Sequence, residues 1–158
     1  MRRIIIISTL LASVLISITA LACGDSLYRV GKGVSYRVYT APLPGSVLVY
    51  GRTEGAEQLA DALAQSGHEV RLVDNEAVLS VELKSGSYDV VIAPYRDHTT
   101  VESSQNAAVS VDTAYLPVAL NKEEKKVADL DYSTVMLADR DEIKHYLKAI
   151  HKSLKRRS

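Results

Sequence analysis

The stretch Tyr88-Asp89-Val90-Val91-Ile92-Ala93, followed by Pro94, decides the fold. A short apolar run bounded by turn-forming residues is typical of a buried strand, and proline ends such a strand because its nitrogen cannot donate to a ladder. Similar runs lie at residues 46–50, 68–73, 113–120 and 132–137. The sequence therefore predicts five strands.

Helical periodicity fills the intervals between these runs. The predicted helices cover residues 54–65, 75–84, 96–108 and 122–130, and a last helix begins at Asp139. Inward faces are expected at Ala56, Leu59, Ala60 and Leu63 of the first helix, Val78, Leu79 and Leu83 of the second, and Ile143, Tyr146, Leu147, Ile150 and Leu154 of the last. Ser66-Gly67 and Ser85-Gly86 end the first two helices, and Asp139 with Glu142 forms a capping box for the last one.

Strands that alternate with helices require right-handed crossovers and a parallel sheet that is covered on both faces. The sequence thus predicts an α/β class, namely a (βα)5 flavodoxin-like parallel sheet of order 2-1-3-4-5 with helices on both faces. Pro117 lies inside the predicted fourth strand, so we expect it near an edge or a bulge.

Residues 1–22 have the pattern of a signal peptide. Arg2 and Arg3 precede an apolar run over residues 4–21, and Ala20-Leu21-Ala22 supplies small residues where a signal peptidase cuts. We expect cleavage after Ala22 and an exported, periplasmic mature protein. The alternative is an uncleaved membrane anchor, because the run approaches the length of a spanning helix.

Cys23, directly after the expected cut, resembles the lipidated cysteine of a bacterial lipoprotein junction. The resemblance is partial, since Ala20 stands where such signals usually carry leucine. Two alternatives stay open: a lipid anchor on Cys23, or a soluble periplasmic protein that begins with a free cysteine. Cys23 is the single cysteine of the chain, so it has no internal disulfide partner.

Residues 23–45 form an N-terminal extension or linker, and residues 46–158 form the domain, with Pro42, Pro44 and Gly45 breaking regular structure at the boundary. The chain carries 19 basic and 19 acidic residues, and removal of the leader leaves 17 against 19, a net charge of −2. This balance gives no electrostatic footprint for nucleic acid. Membrane contact is expected only through Cys23.

Gly24-Asp25-Ser26-Leu27 matches the signature of the GDSL esterases and lipases. In that family a core strand precedes the motif, whereas here the preceding run is the export signal. The family also needs an Asp-x-x-His pair to activate its serine, and none of the four histidines provides one. Glu142 and His145 come nearest, at a spacing typical of a surface helix pair. The sequence therefore disfavours esterase activity at Ser26.

Over residues 46–156 the chain resembles the receiver domains of bacterial response regulators, chiefly through residues 88–93. Receivers phosphorylate themselves with an acidic pair, a phosphoacceptor aspartate, a hydroxyl and a lysine. This chain has instead Gly51-Arg52, Pro94, Ala119-Leu120 and Ala138-Asp139. The resemblance implies a degenerate receiver, or pseudo-receiver, without phosphotransfer. We expect an exported, non-catalytic binding or accessory protein at the cell envelope, with an envelope protein as partner.

Residues 50–55 are similar to the flavodoxin phosphate loop but are shorter and poorer in serine and threonine, so FMN and other cofactors are not expected. Thr53 is interpreted first as a helix cap. The alternative is a small-anion site at the carboxyl edge of the sheet, formed by Gly51, Arg52, Thr53 and Tyr95. Metal binding is not expected, because Asp97-His98 and the Glu142, His145 pair lack the spacing of a structural zinc site.

Overall fold

The computed structural model describes residues 40–107 and 113–157, and these form a parallel sheet of five strands. The strands are β1 (Ser46–Tyr50), β2 (Glu69–Val73), β3 (Val90–Pro94), β4 (Ala114–Ala119) and β5 (Met136–Leu137). Their order is β2-β1-β3-β4-β5, and every neighbouring pair is parallel. The predicted α/β class and flavodoxin-like order are confirmed.

Helices cover both faces of the sheet. They are α1 (Glu54–Gln65), α2 (Glu76–Ser85), α3 (His98–Asn106), α4 (Lys122–Asp131) and α5 (Ile143–Arg157). Alternate strand residues point to opposite faces, so Val47, Val49 and Ile92 pack with α1 and α5, while Leu48 and Val91 pack with α2 and α3. A smaller cluster places α4 against the ends of β4 and β5. The predicted inward residues of α1, α2 and α5 all join these clusters.

The turn after α1 has the form that Ser66-Gly67 predicts. Gly67 has φ of 99°, a left-handed conformation in which glycine has no steric penalty. The N–H groups of Gly67 and His68 donate to the carbonyls of Ala64 and Leu63, at 3.0 and 3.2 Å. This is a Schellman motif, and it delivers His68 directly to the start of β2.

The third strand begins two residues later than predicted, at Val90. Asp89 instead binds the start of β1, because its N–H donates to Ser46 O and its carboxylate accepts from Ser46 N–H, both at 2.8 Å. The Tyr88 hydroxyl donates to Glu82 on α2 at 2.6 Å. The polar side chains of these two residues therefore hold the loop rather than extend the strand.

Pro117 lies in an internal strand, between β3 and β5. Ala138 N–H donates to Ala119 O on the β5 side of β4, so strand alternation turns the Pro117 nitrogen to the same side. The first residue of β5 is Met136, which pairs with Val118. The Pro117 nitrogen, which has no hydrogen to donate, thus lies on the side of β4 that β5 would cover. Because β5 begins only opposite Val118, β4 has no partner strand on that side at Pro117.

The last βα connection differs from its prediction. The fifth strand has two residues instead of six, and α5 begins at Ile143 rather than at Asp139. The Asp139 capping box is wrong, because residues 138–140 form a turn in which Arg140 N–H donates to Leu137 O. Glu142 precedes the helix, and its N–H donates to His145 Nδ1 at 3.1 Å.

The segment predicted as one helix over residues 96–108 is a 3-10 turn, Tyr95–Asp97, followed by α3. Several predictions lie outside the described residues: the signal peptide at 1–22, the lipidation candidate Cys23, the esterase candidate Ser26, and most of the extension at 23–45. The described chain already contacts the domain at Ala41, whose N–H donates to Ser66 O at 2.7 Å. Within residues 40–107 and 113–157 no helix has the length and apolar character that a membrane span requires.

Candidate functional site

The predicted small-anion residues lie in two neighbouring loops at the carboxyl edge of the sheet. Gly51, Arg52 and Thr53 follow β1, and Tyr95 follows β3. The two strands are adjacent and in register, with Val49 opposite Ile92. Chain connections leave in opposite directions at this point, which is where open α/β sheets bind ligands. Gly51, Arg52, Thr53 and Tyr95 therefore lie at the topological switch point of the sheet.

Gly51 and Arg52 both bind the neighbouring strand end. Gly51 N–H donates to Val73 O at 3.0 Å, and the Arg52 Nε–H donates to Asp74 O at 2.5 Å. Arg52 is exposed, so its guanidinium lies at the surface between the β1–α1 and β2–α2 loops. The Nε–H edge of the guanidinium is therefore used by a hydrogen bond to the Asp74 carbonyl.

Acidic residues lie in the neighbourhood of Arg52 and Tyr50, and sequence reasoning missed them. The pKa of Asp97 is raised by burial, with Glu76 adding to the effect and Arg96 and Arg52 opposing it. Burial also raises the pKa of Tyr50, and Asp97 and Glu76 reinforce that rise. Asp97 is thus within electrostatic reach of Arg52 and Tyr50, and Glu76 is within reach of Asp97 and Tyr50. A mixed-charge edge of this kind attracts a small anion less than Arg52 alone would.

The acidic neighbours carry a sequence signal that could have been used. Asp74 directly follows the second strand, and Asp97 closely follows the third. Carboxyl ends of adjacent parallel strands meet at one edge, so polar residues one to three positions after each strand are neighbours.

Thr53 caps α1, as interpreted from the sequence. Its backbone is extended (φ −103°, ψ 153°), and its Oγ1 accepts from Ala56 N–H at 3.3 Å. Glu54 and Glu57 lie in the first turn, where the helix dipole favours negative charge. The Thr53 hydroxyl is therefore used by the helix cap, and the Thr53 carbonyl accepts from Ala56 and Glu57 N–H.

Tyr95 belongs to an aromatic cluster on the side of β3 that faces α4. Its ring stacks on His98 with centroids 4.8 Å apart, and it meets Tyr132 edge-on at 6.1 Å. Tyr115 also meets Tyr132 edge-on, with ring centroids 5.2 Å apart. Such pairs add about 0.5–1.5 kcal/mol to the burial of the rings. Tyr95 thus packs within the domain, whereas Arg52 binds the β2–α2 loop.

Hydrogen bonds fix the same cluster at its rim. Tyr115 donates to Pro94 O at 3.1 Å, and Tyr132 donates to Glu102 on α3. Burial, followed by the hydrogen bond from Tyr132 to Glu102, raises the pKa of the Tyr132 hydroxyl well above its usual range. Tyr132 therefore stays protonated as a donor and ties α3 to the end of α4.

Metal ligands are not grouped in the described part of the chain. Over residues 40–107 and 113–157, no three His, Cys, Asp or Glu side chains converge in a way that could hold an ion. Asp97 and His98 lie in the 3-10 turn and at the start of α3, where His98 Nδ1 lies 2.8 Å from Tyr95 O. His145 contacts Asp141 at 3.3 Å.

No family model, curated protein or solved structure matches the chain. The fold alone defines its class: a small α/β protein with a five-stranded parallel sheet in the flavodoxin-like order.

Proposed function

We propose that this chain is an exported, non-catalytic, receiver-like domain that acts by binding a protein partner at the cell envelope. The observation that carries the proposal is Pro94. It is the last residue of β3, it is buried, and its carbonyl accepts from Tyr115. A proline at the place of a receiver's phosphoacceptor offers no oxygen to a phosphoryl group.

The other places at which a receiver has working side chains are occupied by backbone contacts here. Gly51 N–H donates to Val73 O. Leu120 N–H donates to Glu124 Oε2 at 2.6 Å, and Ala138 N–H donates to Ala119 O at 2.9 Å. These contacts stabilise the strand ends and the start of α4. The glycine, leucine and alanine side chains at these places carry no carboxylate, hydroxyl or amine for phosphotransfer.

Export is the part of the proposal that the N-terminus can test directly. We expect the mature protein, isolated from envelope fractions, to begin at Cys23, because Ala20 and Ala22 suit signal peptidase. Intact mass spectrometry reports the cut and any acyl chains on Cys23 together. An intact chain that still begins at Met1 and is dissolved in the cytosol would overturn export.

The outer face of α4 supports a protein partner. Leu130 is 83% exposed and Val127, three residues earlier, is 53% exposed. Residues three apart lie on one helix face, so the two side chains form one apolar patch. Charged residues surround it, and a charged rim around an apolar centre is typical of a protein interface.

Leu130→Ser is expected to weaken binding of the partner about 5- to 30-fold, since an apolar anchor at the centre of an interface contributes about 1–2 kcal/mol. The measurement is quantitative capture from solubilised envelope extract with the wild-type chain and the variant. Val81→Ser is the matched control, because Val81 is 62% exposed on α2 and belongs to a different surface. Equal capture by Leu130→Ser and wild type would contradict docking on α4.

A small-anion site at Gly51, Arg52, Thr53 and Tyr95 is the second proposal. The exposure of Arg52 at the carboxyl edge favours it, whereas Asp97 and Glu76 oppose it. The cap role of Thr53 and the packing of Tyr95 leave Arg52 as its main donor. Arg52→Gln therefore decides this proposal in the phosphate titration described below.

A further inference from the structure

A cleft of about 450 Å³ lies between α4 and the turn that follows β5. It is at the β4–β5 end of the sheet, whereas Arg52 follows β1. Its volume falls within the range of small-molecule sites. The lining is cationic, comprising Lys122, Lys125, Lys126, Arg140 and His145, with Asp129, Asp141 and the apolar Leu137.

The two carboxylates of the cleft are already bound within the chain. Asp129 accepts from Lys125 Nζ at 3.0 Å, and the same ammonium group donates to Val135 O at 2.8 Å. Asp141 Oδ2 accepts from Leu137 N–H at 2.7 Å, and its Oδ1 lies 3.3 Å from His145 Nδ1. Asp129 is thus paired with Lys125, whereas Asp141 keeps its negative charge and offsets one further cation of the cleft.

Three cations of the cleft lie outside these pairs. Within residues 40–107 and 113–157, Lys122, Lys126 and Arg140 make no ion pair. Four cations face two carboxylates in this lining, so the cleft carries an excess of two positive charges when His145 is neutral. The net charge of the whole chain is near zero, so this local excess of positive charge is not evident from the composition. Concave, like-charged surfaces concentrate ions of the opposite sign.

His145 adds a donor to this lining. Its Nδ1 accepts from Glu142 N–H at 3.1 Å, so in the neutral ring the proton is on Nε2. The imidazole thus retains an N–H that this bond does not use, and Arg140 supplies a planar fork suited to two oxygens of one anion. Ammonium groups, a guanidinium and an imidazole N–H together match the donors that bind phosphate.

We propose that this cleft binds a phosphate group, either free or as the monoester of a small organic molecule. The dianion would lie among Lys122, Lys126 and Arg140, and Lys125 stays paired with Asp129. The site does not depend on export, on the partner of α4 or on the loop that contains Arg52. Its failure would consequently leave the proposed binding function intact.

The test is a titration of the full chain, at constant ionic strength, with inorganic phosphate, with glycerol 3-phosphate and with glycerol. Backbone amide shifts in two-dimensional NMR locate the binding and give Kd. We expect saturable shifts at residues 122–126 and 137–145 with both phosphates and none with glycerol. A lower Kd for the monoester would indicate that the organic part also contacts the cleft, and equal Kd values would indicate that phosphate alone is the ligand.

Arg140→Gln and Lys126→Gln are each expected to raise Kd at least about fivefold, which corresponds to about 1 kcal/mol for one lost charged contact. The control variant is Lys148→Gln, on the exposed side of α5, which retains wild-type Kd. Arg52→Gln, at the far loop of the same sheet edge, separates the two anion proposals, because it weakens binding only if the anion lies at the β1–α1 loop. Thermal melts establish that all four variants fold.

Two outcomes would overturn the proposal that this cleft binds phosphate. One is a Kd that is unchanged in both Arg140→Gln and Lys126→Gln. The other is a Kd that rises in Arg52→Gln, which would place the anion at Gly51, Arg52 and Thr53 and would support the second proposal above instead.

Discussion

Ile92→Ala is expected to lower the free energy of unfolding by about 3–4 kcal/mol, the usual cost of a large cavity in a core. Ile92 is fully buried in the central strand β3, with Val49 and Leu116 as its register partners on either side. It belongs to the cluster that includes Tyr146 and Ile150 of α5. Packed elements surround this site, so we expect only partial collapse of the cavity.

Chemical denaturation of wild type and variant measures this effect as a shift of midpoint at constant slope. The matched control is Val81→Ala, which removes apolar atoms from a side chain that is 62% exposed and should change stability by less than about 0.5 kcal/mol. A loss of under about 1 kcal/mol in Ile92→Ala would show that the sheet does not pack on α5 as described.

Acidification is expected to destabilise the domain through His68. This residue is 6% exposed, and its Nδ1 accepts from Gly45 N–H at 3.2 Å. The proton of the neutral ring is therefore on Nε2, which is buried and has no acceptor among the described residues. Protonation of Nδ1 would remove the acceptor of Gly45 and put a charge in a site where only Asp89 compensates it.

The sign follows from the pKa of His68, which burial lowers, with Asp89 acting in the opposite sense. The folded state then binds the proton more weakly than the unfolded chain, whose histidine pKa is about 6.5. The stabilisation is complete above that value and is lost as the pH falls through the lowered pKa. Loss of the Gly45 hydrogen bond corresponds to about 1–3 kcal/mol.

Free energies of unfolding measured from about pH 7.5 to pH 5, across the unfolded histidine pKa, test this expectation. His68→Asn is the matched variant, because its amide oxygen can accept from Gly45 and does not titrate in this range. The other histidines of the chain contribute equally to both curves, so the difference isolates His68. Parallel curves for wild type and His68→Asn would refute the role of His68.

Much of the fold could be predicted from local pattern. Residues 54–65 were predicted as a helix and form α1 with the same bounds, because an amphipathic face, a threonine cap and a Ser-Gly stop agree there. The apolar pattern predicted the fifth strand less well: the run over residues 132–137 has six residues, but only Met136 and Leu137 form a strand. Strand length depends on the partner strand, and β4 offers β5 only Val118 and Ala119.

The candidate sites were less predictable. Sequence placed Gly51, Arg52, Thr53 and Tyr95 at one edge of the sheet, and the structure places them in loops after the adjacent strands β1 and β3. It did not reveal that Tyr95 packs on His98, nor that Lys126 and Arg140 line one cleft. These pairs depend on loop paths and on the angle at which α4 and α5 meet the sheet.

The sequence by itself determined the class of this protein, since alternating apolar runs and amphipathic helices can bury their surfaces only in a covered parallel sheet. It also determined that proline occupies the end of the third strand. Only the tertiary structure decided where charge accumulates. It groups Lys122, Lys126 and Arg140, which make no ion pair in the described part of the chain, at the β4–β5 end of the sheet, and it brings Asp97 near Arg52 at the middle of the sheet. Electrostatic potential depends on distances in space, and the fold sets those distances.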